Sequence, residues 1–169
     1  MKRRYLLEAG SVTLGAVWLA QSFSHRSNLE ISMASTKETF EVTKTEAEWR
    51  AILSPEQFNV LRKHGTERSH TSPLDKQYGQ GVYHCAGCDL PLFSSETKFN
   101  SGTGWPSFNQ PLEEAVATST DRSLFMTRVE VHCARCGGHL GHVFDDGPAP
   151  TGKRYCMNGV ALNFVPDEA

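Results

Sequence analysis

Two C-x-x-C pairs constrain this chain more than any other feature. Cys85 and Cys88 form the first pair, and Cys133 and Cys136 form the second. A spacing of two residues lets one tight turn aim both thiolates at a single ion, and two such turns supply the four ligands of a tetrahedral zinc site. Because 44 residues separate the two pairs, we expect a clip within one domain and not a short zinc finger.

Other uses of paired cysteines compete with zinc. Covalent attachment of c-type haem requires a histidine directly after the second cysteine, and Asp89 and Gly137 stand there instead, so haem is excluded. Thioredoxin-like chemistry uses one C-x-x-C at a helix start in a βαβ setting, which neither the duplication nor the strand-rich context supports. Two disulfides, favoured in an oxidising compartment, and iron ligation remain as alternatives to a zinc ion.

Composition is that of an ordinary globular protein with no electrostatic preference for nucleic acid. The 169 residues include 17 Lys and Arg, 19 Asp and Glu and 38% hydrophobic residues, and the formal net charge is -2. Proteins that bind phosphate backbones carry basic patches or stripes, and this chain has a basic run only in its first residues. About 130 to 140 residues remain after an N-terminal leader, which is enough for one domain.

The first 25 residues have the layout of an export signal. Three basic residues precede an apolar-leaning run, as the n-region and h-region of such signals do. Arg3 and Arg4 resemble the twin-arginine type of signal. Glu8 interrupts the run, which is also too short to span a bilayer. We therefore expect export to a periplasm or its equivalent, with a cytoplasmic location as the alternative, and no stable membrane span.

Helix start signals mark where the folded domain begins. Residues 26–44 are rich in Ser and Thr without clear periodicity, so we interpret them as a linker and expect the domain over 45–169. Thr45 and Ser54 each have capping-box spacing to a Glu or Gln three residues later, which predicts two short helices in succession. Gly65 is the expected stop of the second helix.

Short runs of apolar and aromatic residues follow from about residue 80. Gly, Pro, Asn and Asp separate these runs, which include GVYHC, LPLF, RVEVHC, HLGHVF and RYCMNGVAL. Such runs are typical of β-strands joined by turns, and no dinucleotide-binding or P-loop glycine pattern is present. The sequence therefore predicts a mainly β domain, mostly antiparallel, with short helices at its N-terminal end.

The fifth cysteine, Cys156, stands outside the paired pattern. On an extended strand Arg154, Cys156 and Asn158 share one face, because side chains alternate with period two. A cation and an amide are favourable neighbours for a thiolate, whose pKa falls beside positive charge and hydrogen-bond donors. We therefore predict that Cys156 is an acidic, reactive thiol; the alternative is a small buried hydrophobic residue.

Two histidines and a tryptophan are further candidates for a site. His139 and His142 would face opposite sides of a regular strand, but a bulge at Gly141 would bring both toward one site. Trp105 lies in the glycine-containing loop SGTGWPSF and is either a core plug or a pocket wall. A lone histidine is usually a satisfied surface or core group, so no function is assigned to His25, His64 or His70.

These segments together resemble one family, the peptide methionine-R-sulfoxide reductases, which are the B-type methionine sulfoxide reductases. The likeness runs from about Thr45 to about Phe164 and rests on YHCAGCDLPLF, KFNSGTGWPSF, CARCGGHLGHVFDDGPAPTGKRYCMN and GVALNF, in that order. It implies the family's pair of antiparallel sheets, one structural zinc on the four paired cysteines, and Cys156 as the nucleophile. The family's other active-site positions fall on Trp105, His139, His142 and Asn158.

The resemblance implies repair of oxidised proteins that carry methionine-R-sulfoxide. The thiolate of Cys156 would attack the sulfoxide sulfur while His142, with His139, protonates the departing oxygen. Asn158 would orient the groups around the thiol. The products would be methionine and a sulfenic acid on Cys156.

Two further residues would bind the substrate. Trp105 would hold the methyl group by apolar and sulfur-aromatic contact, in a chiral pocket that selects the R epimer. Arg154, which shares a strand face with Cys156, would help to lower the pKa of the thiol; this role comes from the strand pattern and not from the resemblance.

The chain departs from many members of the family in the SGTGWPSF loop. Those members carry a cysteine there that attacks the sulfenic acid, whereas this chain has Thr103. The sulfenic acid would then be reduced by an outside thiol, such as thioredoxin, glutaredoxin or glutathione. Two other functions stay open, a non-catalytic zinc-stabilised binding module and a thiol redox sensor. We expect a monomer.

Overall fold

The computed structural model describes residues 39–123 and 126–168. The export signal predicted over 1–25 and most of the predicted linker lie outside the described residues. Within the two described ranges, no helix has both the length and the apolar character needed to cross a membrane.

Two capped helices open the domain, as the sequence predicts. Helix α1 spans Glu46–Ile52 and helix α2 spans Pro55–Lys63. The hydroxyls of Thr45 and Ser54 each accept the backbone N–H three residues on, and the Glu or Gln side chain there accepts the N–H of the cap. Both capping boxes are therefore complete, and they satisfy N–H groups that the first turn of a helix leaves unpaired.

The end of α2 differs from the prediction. The left-handed residue is His64, with φ of 54°, and not Gly65. The Gly65 N–H donates to the Asn59 carbonyl oxygen at 3.0 Å, and a Cβ on residue 65 would lie 2.3 Å from the Asn59 side-chain nitrogen. Glycine is needed there for close approach, while histidine, which is enriched at left-handed positions relative to most residues, takes the turn itself.

Nine strands follow in the described part of the chain, and each pairs with its neighbours in antiparallel fashion. A three-stranded sheet has the order β2-β1-β9 and a six-stranded sheet the order β3-β4-β8-β7-β6-β5. The fold class predicted from the sequence, a mainly β domain with two antiparallel sheets and short N-terminal helices, is confirmed. The strands are β1 (Gly81–Cys85), β2 (Pro91–Ser94), β3 (Lys98–Phe99), β4 (Ser107–Phe108), β5 (Val116–Asp121), β6 (Arg128–Cys133), β7 (His139–Phe144), β8 (Arg154–Met157) and β9 (Leu162–Pro166).

Aromatic side chains from both sheets build a shared core. Tyr83 of β1 and Phe93 of β2 pack on Phe108 of β4, with ring centroids 4.9 and 4.4 Å from it. All three side chains are fully buried, and such rings contribute most to the apolar area that folding removes from water. Met157 of β8 joins this core. Because side chains alternate along a strand, the preceding residue, Cys156, faces the other side of the sheet.

The last residues of the predicted linker contact the domain. The ring of Phe40 lies 5.7 Å from the ring of His132, edge to face. The N–H of Val42 donates to the carbonyl oxygen of Arg135 at 3.0 Å. The packed part of the chain therefore extends upstream of Thr45.

Candidate active site and metal centre

The four paired cysteines meet at one point. Their Sγ atoms all lie within 4.8 Å of one another; the Cys85 and Cys136 sulfurs are 3.8 Å apart, and those of Cys88 and Cys133 are 3.5 Å apart. A tetrahedral ion with metal–sulfur bonds of about 2.3 Å has sulfur–sulfur edges of about 3.8 Å. A disulfide bond is only about 2.05 Å long, and all five cysteines are free. The cluster fits a four-thiolate metal ion.

Two equivalent turns position these thiols. Cys85 ends β1 and Cys133 ends β6, and each following turn is closed by a backbone hydrogen bond, of 2.8 and 2.9 Å respectively. Hydrogen bonds from the neighbouring thiols, that of Cys136 first, hold the pKa of Cys133 below its ordinary value, which favours the thiolate that a metal binds. Because β1 and β6 belong to different sheets, an ion here would tie the two sheets together.

A row of polar side chains crosses the six-stranded sheet. Cys156 on β8 pairs with Ser107 of β4 on one side and with His142 of β7 on the other. The row continues to Glu130 of β6, opposite His142, and to Ser119 of β5, opposite Glu130. Directly opposed residues in antiparallel strands share one face of the sheet. Strand pairing alone therefore brings Cys156 and His142 together.

The bulge predicted at Gly141 is present and adds His139 to this row. The register of β7 against β6 slips between His139 and Gly141, so Leu140 is the extra residue. The rings of His139 and His142 consequently lie 5.4 Å apart, edge to face. A Cβ on Gly141 would lie 2.1 Å from the Cys156 carbonyl oxygen, so only glycine fits at this position.

Asp121, which the sequence analysis did not single out, holds His142. Its Oδ2 accepts a hydrogen bond from Nε2 of His142 at 2.8 Å and another from Arg128 at 2.7 Å. Burial lowers the pKa of His142, and the hydrogen bond to Asp121 offsets this only in part, so His142 is neutral near pH 7. Hydrogen bonds from Ser123 and His142 hold the pKa of Asp121 well below its usual range.

Glu130 holds His139 in the same way and was also missed. Its Oε1 lies 2.6 Å from His139 Nδ1, and its Oε2 accepts from the Ser119 hydroxyl at 2.8 Å. Burial alone would raise the pKa of Glu130, but the hydrogen bonds from His139 and Ser119 lower it to about 2. The alternation in RVEVHC places Glu130 on the polar face of β6, which was the available signal; its partner was not visible from the sequence.

The surroundings of Cys156 contradict the prediction of an acidic thiol. Burial raises the pKa of Cys156, and the effects of Thr103, Arg154 and Ser107 lower it only in part. The Thr103 hydroxyl lies 3.8 Å from the sulfur. Arg154 lies on the expected strand face, but its guanidinium makes two hydrogen bonds to Asp146, at 2.9 and 2.8 Å. That pairing limits what the cation contributes to the thiolate, so burial prevails.

A small cavity of about 120 Å³ opens beside Cys156. Pockets for drug-sized ligands measure about 300 to 1,000 Å³, so this one admits only a small group such as the end of a side chain. Four of the predicted site residues line it, whereas His139 and Arg154 do not. The full lining is Thr66, Trp105, Arg128, Gly141, His142, Phe144, Cys156 and Asn158.

Glu67 connects two sides of this cavity. The indole N–H of Trp105 donates to the Glu67 carbonyl oxygen at 3.2 Å, and the Glu67 N–H donates to Asn158 Oδ1 at 2.9 Å. The Glu67 carboxylate accepts from the N–H groups of Gly159 and Val160, at 2.5 and 2.9 Å, although burial raises its pKa. Glu67 lies in an irregular segment without periodicity, so no sequence signal marks it.

A larger depression of about 1140 Å³ lies among α2, residues 66–77 and residues 159–164. Thr66 borders both cavities, and Glu67 lines the larger one. Neither Cys156 nor a histidine lines the larger one, so the smaller cavity is the candidate reaction site despite its size.

Comparison with known proteins agrees with this geometry. Residues 53–166 match the family model described as the SelR domain, which covers more than half of the chain. This chain belongs to the SelR-domain family. Relatives named peptide methionine sulfoxide reductase MsrB share 57% identity over 128 residues in Methanosarcina barkeri, 57% over 126 in Methylibium petroleiphilum and 56% over 126 in Pseudomonas putida.

The similarity to these SelR-domain proteins extends over most of each chain. The aligned parts cover 74 to 75% of this chain and 90%, 91% and 95% of the three relatives, respectively. The resemblance to the peptide methionine-R-sulfoxide reductases that the sequence motifs indicate is therefore confirmed.

Proposed function

We propose that this chain reduces methionine-R-sulfoxide in oxidised proteins to methionine through the thiol of Cys156. One observation carries the proposal. In a chain of the SelR-domain family, the one cysteine outside the metal cluster lines a cavity of side-chain size together with Trp105 and His142. The relatives' name, peptide methionine sulfoxide reductase, supports the same substrate class.

The proposed step is a two-electron transfer between two sulfur atoms. The Cys156 sulfur attacks the sulfoxide sulfur; its S–H bond breaks and the proton goes to the sulfoxide oxygen. The OH group then passes from the substrate sulfur to the Cys156 sulfur: the substrate S–O bond and the transient S–S bond break, an S–O bond forms on Cys156, and methionine leaves a sulfenic acid behind. Because burial raises the pKa of Cys156, the resting thiol retains the proton that this oxygen needs.

His142 would carry that proton. It lies directly opposite Cys156 on the neighbouring strand, and its Nε2 is occupied by Asp121. Since the lowered pKa leaves the ring neutral, Nδ1 is the nitrogen available to accept the thiol proton and return it to the substrate. His139 packs edge-on against this ring and limits its movement.

Trp105 and Asn158 would shape the substrate end of the cavity. A methyl group attached to sulfur makes favourable contact with an aromatic ring, and Trp105 is the aromatic residue whose N–H is tied down by Glu67. Glu67 also holds Asn158, because the Glu67 N–H donates to Asn158 Oδ1. With Cys156 facing the sulfur, Trp105 the methyl group and His142 the oxygen, the peptide arm could leave the cavity in one direction only, so one epimer would fit. The resemblance to the family implies that this is the R epimer.

Regeneration would require an outside thiol. The Thr103 hydroxyl, 3.8 Å from the Cys156 sulfur, occupies the place where many members of the family carry a second cysteine. The other four cysteines are grouped in the cluster. Thioredoxin, glutaredoxin or glutathione would therefore reduce the sulfenic acid by thiol exchange.

The cysteine cluster is proposed to hold one structural zinc ion. The sulfur separations of 3.5 and 3.8 Å support a tetrahedral ion. Such an ion would link the turns after β1 and β6 and take no part in the sulfoxide step.

A single-turnover experiment tests this function. The reduced chain is mixed with one equivalent of a peptide carrying either R or S methionine sulfoxide, without external reductant, and a sulfenic-acid probe is added. The expected result is about one methionine per chain from the R peptide, with the probe on Cys156 and no reaction in Cys156→Ser. Consumption of only the S epimer, or full turnover by Cys156→Ser, would contradict the proposal.

The same experiment separates the two alternative functions. A binding module would leave both peptides intact and Cys156 unlabelled. A thiol redox sensor would give labelled Cys156 after peroxide treatment but no methionine from either peptide.

A further inference from the structure

A second group of side chains that could hold a metal ion lies beside the polar row. One nitrogen each from His64 and His139 and one oxygen of Glu130 lie within 4.8 Å of one another. Glu130 Oε1 is 2.9 Å from His64 Nδ1 and 2.6 Å from His139 Nδ1. The Nδ1 atom of each imidazole thus points at Oε1 of Glu130, and the two ring centroids are 5.2 Å apart.

Two of these three side chains are held in place by burial. The side chains of His139 and Glu130 are 3% and 12% exposed. The Ser119 hydroxyl donates to Glu130 Oε2 at 2.8 Å, so Oε1 is the oxygen directed at the imidazoles. Hydrogen bonds of this kind orient carboxylate ligands around metal ions in proteins.

His64 supplies the accessible side of the group. Its side chain is 65% exposed, and the left-handed turn at the end of α2 carries it over Glu130. An ion could therefore enter from solvent between His64 and the buried pair. The exposed imidazole can also adjust its position when an ion requires shorter distances.

One ring nitrogen of the buried His139 makes no hydrogen bond to the described residues. His139 Nε2 is inaccessible to solvent and has no hydrogen-bond partner among the described residues. The tautomer of a histidine is set by the hydrogen bonds that its two nitrogens make. A cation on Nδ1 would displace the ring proton to Nε2. Because Nε2 has no hydrogen-bond partner within the described part of the chain in either state, this shift exchanges an unpaired buried acceptor for an unpaired buried donor and breaks no further hydrogen bond.

We propose that His64, Glu130 and His139 form a binding site for a divalent cation of the zinc class, separate from the cysteine cluster. Two imidazole nitrogens and one carboxylate oxygen suit zinc, copper and nickel ions. Zinc bonds to these atoms are about 2.0 to 2.2 Å long, so the ion would replace the present hydrogen bonds, with a fourth position open toward solvent.

Occupancy would act on the reductase, and this consequence rests on the proposed function. An ion bound to His139 Nδ1 breaks the Glu130 hydrogen bond that orients the ring, whose edge packs on His142. His142 would then lose part of its support beside Cys156. Free zinc-class ions are therefore expected to inhibit turnover reversibly.

The site is tested by counting bound zinc in a chain that lacks the reactive thiol. Cys156→Ser is purified with its cysteine-bound ion and dialysed against micromolar zinc, and zinc per chain is measured by elemental analysis. About one additional zinc per chain is expected. His64→Asn in the same background is expected to lose it, since asparagine tolerates the left-handed conformation but has no imidazole.

His70→Asn provides a matched control. His70 also adopts a left-handed conformation, with φ of 64°, and its side chain is 64% exposed, but it lies outside the group. It should keep the additional zinc. Equal zinc uptake by His64→Asn and its parent, or no additional uptake by the parent, would overturn the proposed site.

Turnover by the chain with Cys156 intact then tests the inhibition separately. Added zinc should lower the rate of R-sulfoxide reduction in the parent and in His70→Asn, and less so in His64→Asn. Equal inhibition of the parent, His70→Asn and His64→Asn would contradict the proposal that this site regulates turnover. The zinc count would still show whether the site binds an ion. Absence of reductase activity without added zinc would refute the proposed function and leave the zinc count readable.

Discussion

The cysteine cluster and the polar row through Cys156 place the same side chain in opposite surroundings. In the cluster each sulfur has three like neighbours within 4.8 Å, all supplied by two short turns. Cys156 has no other thiol beside it; a hydroxyl, an imidazole and a guanidinium approach it from different strands and loops. A metal site can thus be built from a local motif used twice, whereas a reactive thiol depends on the assembled sheet.

The comparison extends to the acidity of the thiols. Neighbouring thiols lower the pKa of Cys133, while burial raises the pKa of Cys156 despite nearby donors. The Cys133 thiol in turn raises the pKa of Cys85 and of Cys136, so an ion would bind the cluster by displacing the remaining protons. The cavity, by contrast, keeps the Cys156 sulfur protonated until a substrate arrives. We therefore expect substitutions in the cluster to lower stability and substitution of Cys156 to lower activity.

Loss of one cluster thiol should produce the largest effect. Cys133→Ser removes a ligand, and metal binding by small zinc sites contributes about 10 to 16 kcal/mol, as much as the whole stability of about 5 to 15 kcal/mol of a typical domain. We expect loss of the ion and a fall in Tm of tens of degrees, measured by elemental analysis and calorimetry. A variant that keeps its ion and its Tm would break the comparison.

Cys156→Ser should abolish activity without affecting stability. Removing a nucleophile lowers the rate by on the order of 10⁴-fold or more, and the change from sulfur to oxygen is small in volume at a half-buried position. The measurements are kcat/KM with an R-sulfoxide peptide and Tm. If the Tm of Cys156→Ser falls as far as that of Cys133→Ser, Cys156 contributes to stability as a cluster thiol does, and the comparison fails.

Asp121→Asn should slow the reaction through His142. An amide accepts the Nε2–H less strongly than a carboxylate and can itself donate, so the imidazole loses its fixed orientation; a loss of about 100-fold in kcat/KM is expected, the scale of general acid–base catalysis. Asp145→Asn is the control, because the Asp145 side chain is 85% exposed. An equal loss of kcat/KM in Asp121→Asn and Asp145→Asn would contradict the role assigned to Asp121.

The pH dependence of Cys156 alkylation should show the smallest effect. Because its pKa lies above the ordinary thiol value, little thiolate is present at pH 7, and the rate of labelling should rise with pH through a midpoint above that value. Thr103→Val removes a donor that lowers the pKa, so the midpoint should rise further, by less than about one pKa unit, or tenfold in rate. The measurement is Cys156 labelling by mass spectrometry.

Thr118→Val is the control for this series, since Thr118 is an exposed strand residue. Its midpoint should match that of the parent. If the midpoint of Cys156 labelling in the parent lies below the ordinary thiol pKa, the acidic thiol that the sequence alone predicts would be correct.

Local patterns predicted much of the fold because their causes are local. The capping boxes at Thr45 and Ser54, the runs that form the strands and the glycine at the bulge each lie within a few positions of chain. Strand pairing is not local, since β1 pairs with β9 and β4 with β8. The acidity of Cys156 was predicted with the wrong sign. Strand alternation shows that Arg154 shares its face, but not that Asp146 occupies the guanidinium or that the sheet buries the sulfur.

By itself the sequence determined the element types, the two cysteine pairs and the lone thiol, since spacing and periodicity act over a few residues. Tertiary structure alone decided which carboxylates hold the histidines and how Glu67 joins Trp105 to Asn158, because these contacts close over 9 to 91 positions of chain. It also decided the net pKa of Cys156. Burial is a property of the packed sheets, and no short segment encodes it.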